Sequence, residues 1–119
     1  MAQKHSTVRN GKRLVWHTEK LWALSAHLVP FEIEIAAIGE LDRDCWFGAG
    51  KKPTLREVAR HCRQINEASL DQPIILNADG SLMDGGHRLC KALLEGKKTI
   101  KAVQFPTMPE PDEIHLLDS

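Results

Sequence analysis

Hydrophobic and polar positions along the chain fall into segments of two different periods. Phe31-Glu32-Ile33-Glu34-Ile35 alternates strictly, which predicts a strand whose wet face carries Glu32 and Glu34. Pro73-Ile74-Ile75-Leu76 is a short apolar run and reads as a buried strand. Ser81-Leu82-Met83 can pair back on it across the turn-forming Asn77-Ala78-Asp79-Gly80, and Ile100 to Phe105 reads as a further strand. Leu14-Val15-Trp16 suits another short strand. Helical spacing appears elsewhere. Leu21, Leu24, Ser25 and Leu28 fall at i, i+3, i+4 and i+7, after Thr18 as a cap and before Pro30, predicting a helix near Thr18 to Val29. Thr54-Leu55-Arg56-Glu57 matches a capping box and opens a helix to about Ala68, with Leu55, Val58, Ala59, Cys62 and Ile65 as its apolar stripe. A third helix runs from about Gly86 to Glu95, is closed by Gly96, and turns Leu89, Ala92 and Leu93 to the core. The expected fold class is α+β, a small mixed β-sheet packed with helices.

The remaining stretches set the boundaries. Residues 1–12 are polar and read as a loose N-terminal arm, although Asn10-Gly11 is a turn pair. Residues 13–105 form the body, and residues 106–119 a proline-containing acidic tail, expected to be extended. Gly39 to Pro53 is a long connection carrying Glu40, Asp42, Asp44, Trp46 and Phe47. It reads either as a lid at a ligand's edge or as a loop whose aromatics plug the core.

Composition narrows the picture. The 119 residues make one domain of ordinary globular composition, and a formal net charge of zero gives no overall bias toward nucleic acid or anionic membrane. No apolar run approaches the length of a membrane span, and the N-terminus lacks the apolar core of a secretory signal. Cys45, Cys62 and Cys90 form neither a disulfide framework nor a CxxC site, so a cytoplasmic setting is expected.

The chemistry concentrates in Asp84-Gly85-Gly86-His87-Arg88. The first amides of a helix lack intrahelical acceptors and carry the positive end of its dipole, which suits phosphate. Gly85 and Gly86 allow close backbone approach. Arg88 can pair with phosphate oxygens, and His87 can donate to phosphate or move a proton near neutral pH. Asp84 can cap the helix or help place a metal. The structural alternative is a capped tight turn whose His87 and Arg88 pair with surface acids. Lys97, Lys98 and Lys101 read as complements to the helix C-terminus.

With these residues in place, Pro73 to Phe105 resembles the ParB/sulfiredoxin superfamily: an apolar strand, a turn, a DGxHR-like motif at a helix start, a glycine-terminated helix and a strand. The resemblance extends over Val29 to Phe105 and is nearest to small stand-alone ParB-like domains. It implies nucleotide or phosphate contacts at Gly85, Gly86, His87 and Arg88. Sulfiredoxins place a reactive cysteine where Gly86 stands, so sulfiredoxin chemistry is not expected, and residues after Phe105 leave no room for the helix-turn-helix of partition proteins. Three readings follow. In the first, the protein is a phosphotransferase or nucleotide hydrolase. Its triphosphate lies on residues 84–88 with Mg2+, Asp42 or Asp44 orients the nucleophile, His87 moves a proton and Trp46 covers the base. In the second, the same ligand is sensed without turnover. The third, a nucleic-acid partner, is supported only by local lysines.

Overall fold

A hairpin opens the chain. β1 (Lys4–Arg9) and β2 (Lys12–His17) pair antiparallel, with Lys4 opposite His17 and Arg9 opposite Lys12. Asn10 and Gly11 at its tip have φ of 52° and 73°, the left-handed pair that lets a two-residue turn follow the twist of its strands. Most of the stretch expected as a loose arm is therefore a strand. The computed structural model describes residues 3–48 and 51–117. Residues 1–2 of the expected arm, Ala49 and Gly50 of the long connection and residues 118–119 of the tail lie outside these.

The acidic tail also joins this sheet. β7 (Glu113–Leu116) pairs antiparallel with β2, giving the order β1-β2-β7. Main-chain and side-chain bonds pin it: Asp112 N–H donates to Val15 O at 2.7 Å, and Trp16 Nε1–H donates to Pro109 O at 2.9 Å. The apolar residues of the tail do not hold it down, since Ile114 and Leu116 are largely exposed.

The second sheet has the order β3-β6-β4-β5, from β3 (Phe31–Glu34), β6 (Thr99–Gln104), β4 (Ile74–Leu76) and β5 (Leu82–Asp84). It is mixed: β4 runs parallel to β6, while β3 with β6 and β4 with β5 are antiparallel. Ile35, expected as the end of β3, instead begins a 3-10 turn, Ile35–Ala37, followed by a second, Gly39–Asp42.

Both faces of this sheet are covered, which explains the unbroken apolar run of β4. Ile74, Leu76, Ile100 and Ala102 face one cluster with Leu89, Ala92, Ile35 and Ile38. Ile75, Val103 and Phe105 face another, with Trp16 and Leu21. Successive side chains of a strand point to opposite faces, so β4, β5 and β6 feed both clusters.

Three helices complete the α+β domain. α1 (Thr18–Ser25) is shorter than expected and lacks a side-chain cap; Thr18 is a buried first residue. α2 (Leu55–Glu67) is capped as expected, Thr54 Oγ1 accepting from Glu57 N–H at 3.2 Å. The reciprocal carboxylate contact is replaced by an ion pair of Glu57 with Arg60 at 2.6 Å. Of its expected apolar stripe, Ile65 is buried and the other four residues are exposed. Leu55 is 91% exposed and Cys62 is exposed, while His61 and Ile65 are buried. α3 (Gly86–Leu94) ends as expected at Gly96, φ 74°. Gly96 N–H donates to Leu93 O and Lys97 N–H to Ala92 O, a Schellman closure. Leu89 and Ala92 are buried as expected, but Leu93 is 54% exposed. No helix among the described residues is long and apolar enough to cross a membrane.

Candidate functional site

An open groove of about 1340 Å³ runs between β1, the C-terminal half of α2 and the start of α3. Residues 84–88 all line it, joined by Trp46, Asp44 and Glu40. The fold thus gathers most of the expected site. Asp42 is exposed and does not line the groove.

The glycines act differently. Gly85 is the N-cap of α3 with φ 112°, a left-handed conformation. A Cβ there would lie 2.6 Å from Ile74 Cγ2, so Gly85 lets the helix start press directly on β4. At Gly86 the added carbon would meet Trp46 Nε1 at 3.5 Å, an ordinary contact. The Trp46 indole therefore lies over the helix start.

Asp84 and Arg88 are bound to each other. Arg88 Nη2 donates to Asp84 Oδ2 at 2.7 Å, and Trp22 Nε1–H donates to the same oxygen at 2.7 Å. Side chains this deep in a wall, 15% and 12% exposed, interact strongly because little water screens them. Arg88 Nε and Gln64 Oε1 are buried without a protein partner among the described residues, and both residues line the groove.

Beside them is a cluster that the sequence did not signal. His61 Nδ1 and His87 Nε2 are 2.8 Å apart, one donating to the other. Trp46 stacks on both, its ring centroid 4.4 Å from that of His61 with planes at 13°, and 4.8 Å from that of His87 at 11°. Phe47 meets His61 edge-on. Burial, as the largest cause, lowers the proton affinity of both histidines; Arg60 lowers that of His61 further, and His61 that of His87. The apolar stripe read along α2 does not include His61. The inward turn of the face that carries it puts it here, and nothing in the spacing of residues 61 and 87 announces the pair.

The loop acids have structural work. Asp44 Oδ1 accepts from the backbone N–H groups of Trp46 at 3.0 Å and Phe47 at 2.7 Å, an Asx turn that orients both aromatics. Glu40 Oε2 accepts from Leu82 N–H at 3.1 Å, tying the connection to β5. Of the two alternative loop acids, Asp42 lies away from the groove, and Asp44 lines it and positions Trp46. Asp84 Oδ2 is already shared by Arg88 and Trp22, and no group of three or more His, Cys, Asp or Glu among the described residues could hold a metal ion.

Compared with known proteins, the chain matches no family model, no curated protein and no solved structure.

Proposed function

We propose that the groove binds a small phosphate-bearing ligand, a nucleotide or a simpler phosphate compound, against residues 84–88, as the ParB/sulfiredoxin-like arrangement of those residues implies. One observation carries the reading: the glycine-led start of α3, with His87 and Arg88 in its first turn, forms one wall of an open groove beneath a stacked indole. Two buried polar atoms without partners among the described residues, a donor on Arg88 and an acceptor on Gln64, lie on residues of that groove, and such atoms favour a guest that completes their hydrogen bonding. Trp46 offers an aromatic face at the same place.

Sensing without turnover is favoured over phosphoryl transfer, because Asp42 does not line the groove and Asp44 is bound to backbone amides. Titration calorimetry with CTP, ATP, ADP and inorganic phosphate, with and without magnesium, tests the binding. Micromolar to millimolar affinity for at least one of them is expected, weakened by His87→Ala and by Arg88→Ala. An absence of binding, or affinity indifferent to both substitutions, would falsify the reading. Product formation over a long incubation would return the assignment to an enzyme.

A further inference from the structure

Two cations beside the histidine stack are compensated. Arg88 is paired with Asp84 at 2.7 Å and Arg60 with Glu57 at 2.6 Å. The groups within the stack whose charge can still rise are His61 and His87. We propose that the His61–His87 pair takes up one proton when a phosphate dianion docks beside it, so that this end of the groove selects terminal phosphate groups over phosphodiesters. The inference rests on the phosphate-binding reading of the groove.

The proton balance follows from the 2.8 Å contact of His61 Nδ1 with His87 Nε2. In the neutral pair one hydrogen lies in that bridge. Of the two outer nitrogens, His61 Nε2 and His87 Nδ1, one carries a hydrogen and the other is bare. A proton from solvent fills the bare nitrogen, leaves the bridge intact and yields two outer N–H donors with one shared positive charge. A second proton would set two imidazolium nitrogens against each other across the bridge, so uptake stops at one. The indole face of Trp46, stacked on both rings, stabilises a cation held against it.

The surrounding charges are mixed. Arg60 and Lys51 resist a proton on His61 while Glu57 favours it, and Arg88 resists one on His87 while Asp84 favours it. With burial added, both imidazoles sit below the ordinary histidine range, so at neutral pH the pair is uncharged until a guest supplies the balance. A phosphomonoester, whose second ionisation lies near pH 6, is largely a dianion at pH 7. A phosphodiester carries a single charge and repays the proton less.

Titration calorimetry at pH 7 on the full chain, in two buffers of different ionisation heat, counts the protons. The probes are inorganic phosphate, a nucleoside monophosphate and dimethyl phosphate. Once corrected for the proton that a monoanionic probe releases in docking as the dianion, a release larger for inorganic phosphate than for the monophosphate and larger at lower pH, the first two should bind with uptake of up to one proton by the pair. Their affinity should decline with rising pH, approaching about tenfold per unit above the bound pair's titration, and dimethyl phosphate should bind more weakly without uptake. His61→Gln and His87→Gln should each abolish the uptake. A reading independent of those variants comes from Trp46 emission, with Trp46→Phe as the blank. Saturating inorganic phosphate at pH 7 should quench it, since an imidazolium quenches a stacked indole. Phosphate binding without proton uptake, uptake unchanged in both glutamine variants, or unquenched emission at saturation overturns the proposal and leaves the groove's reading standing. Failure of every phosphate probe to bind overturns both.

Discussion

Gly85 and Gly86 are neighbours in the chain, but the fold constrains them differently. At Gly85, φ is 112° and a Cβ would overlap Ile74 at 2.6 Å. Left-handed strain and overpacking each cost on the order of 1–3 kcal/mol, so Gly85→Ala should lose about 2–4 kcal/mol of stability in urea unfolding. Gly86 is helical with only an ordinary contact to Trp46. Gly86→Ala should stay within about 1 kcal/mol of the parent, since helix propensity gains what the indole must yield. Equal midpoints for the two variants would refute this division. The sequence showed that a glycine turn starts α3 but not which glycine is indispensable, because that depends on Ile74, a residue of a neighbouring strand. Arg88 has the same character. Its suitability for an anion was legible; its pairing with Asp84, which moves the site's adjustable charge to the histidines, was a matter of side-chain placement.

At the scale of elements, α2 separates what local rules decide from what packing decides. Its start was legible, because Thr54 needs only Glu57 N–H three residues on. Its buried face was not. Five apolar residues suggested a stripe through Leu55 and Cys62, whereas the helix turns His61, Gln64 and Ile65 toward α3 and leaves Leu55 91% exposed. Arg56, Arg60 and Arg63 share one side, at i, i+4 and i+7, so the pattern is strongly amphipathic; it is packing through His61 and Ile65 that turns the helix away from the rotation this pattern suggests. The two choices agree at Ile65 and predict different mutational outcomes at Leu55. Ile65→Ala should cost about 2–4 kcal/mol by chemical denaturation, as expected of a buried aliphatic. Leu55→Ala should change stability by no more than about 0.5 kcal/mol, as at an exposed position. A larger loss at Leu55 would restore the stripe read from the sequence. The strands show the same contrast. The unbroken apolar run of β4 correctly signalled burial. The pairing of β7 with β2 joins segments about a hundred residues apart through backbone bonds and surface charges, and no local pattern encodes it.

At the scale of the whole molecule, one carboxylate clasps the strands of the three-stranded sheet to each other and a second clasps that sheet to the rest. Glu113, on β7, meets His17 at 2.8 Å and Lys4 and His115 at 3.1 Å, which together hold its carboxyl down at about 2. Asp79, in the turn between β4 and β5, accepts from Ser81 and from Arg9 of β1, and is likewise lowered to about 2. A carboxylate whose folded proton affinity lies below its unfolded one stabilises fully above the ordinary value of about 4 and loses that contribution as pH falls through the folded value. Acid should therefore loosen β1 and β7 between about pH 4 and 2, while β4 and β6, held by apolar contacts on both faces, keep their protection. Both clasps are exposed to solvent, so high salt should weaken them in the same order. Hydrogen exchange across pH 5 to 2.5, corrected for intrinsic rates, resolves the segments. Protection of residues 4–9 and 113–116 should fall before that of 74–76 and 99–104, and Glu113→Gln should flatten the acid response of β7. Loss of all strands together, or an unaltered profile in that variant, would mean that the sheet is held by its backbone ladder alone. The outcome bears on the groove as well, since β1 forms one of its sides and Arg9 reaches across it to Asp79.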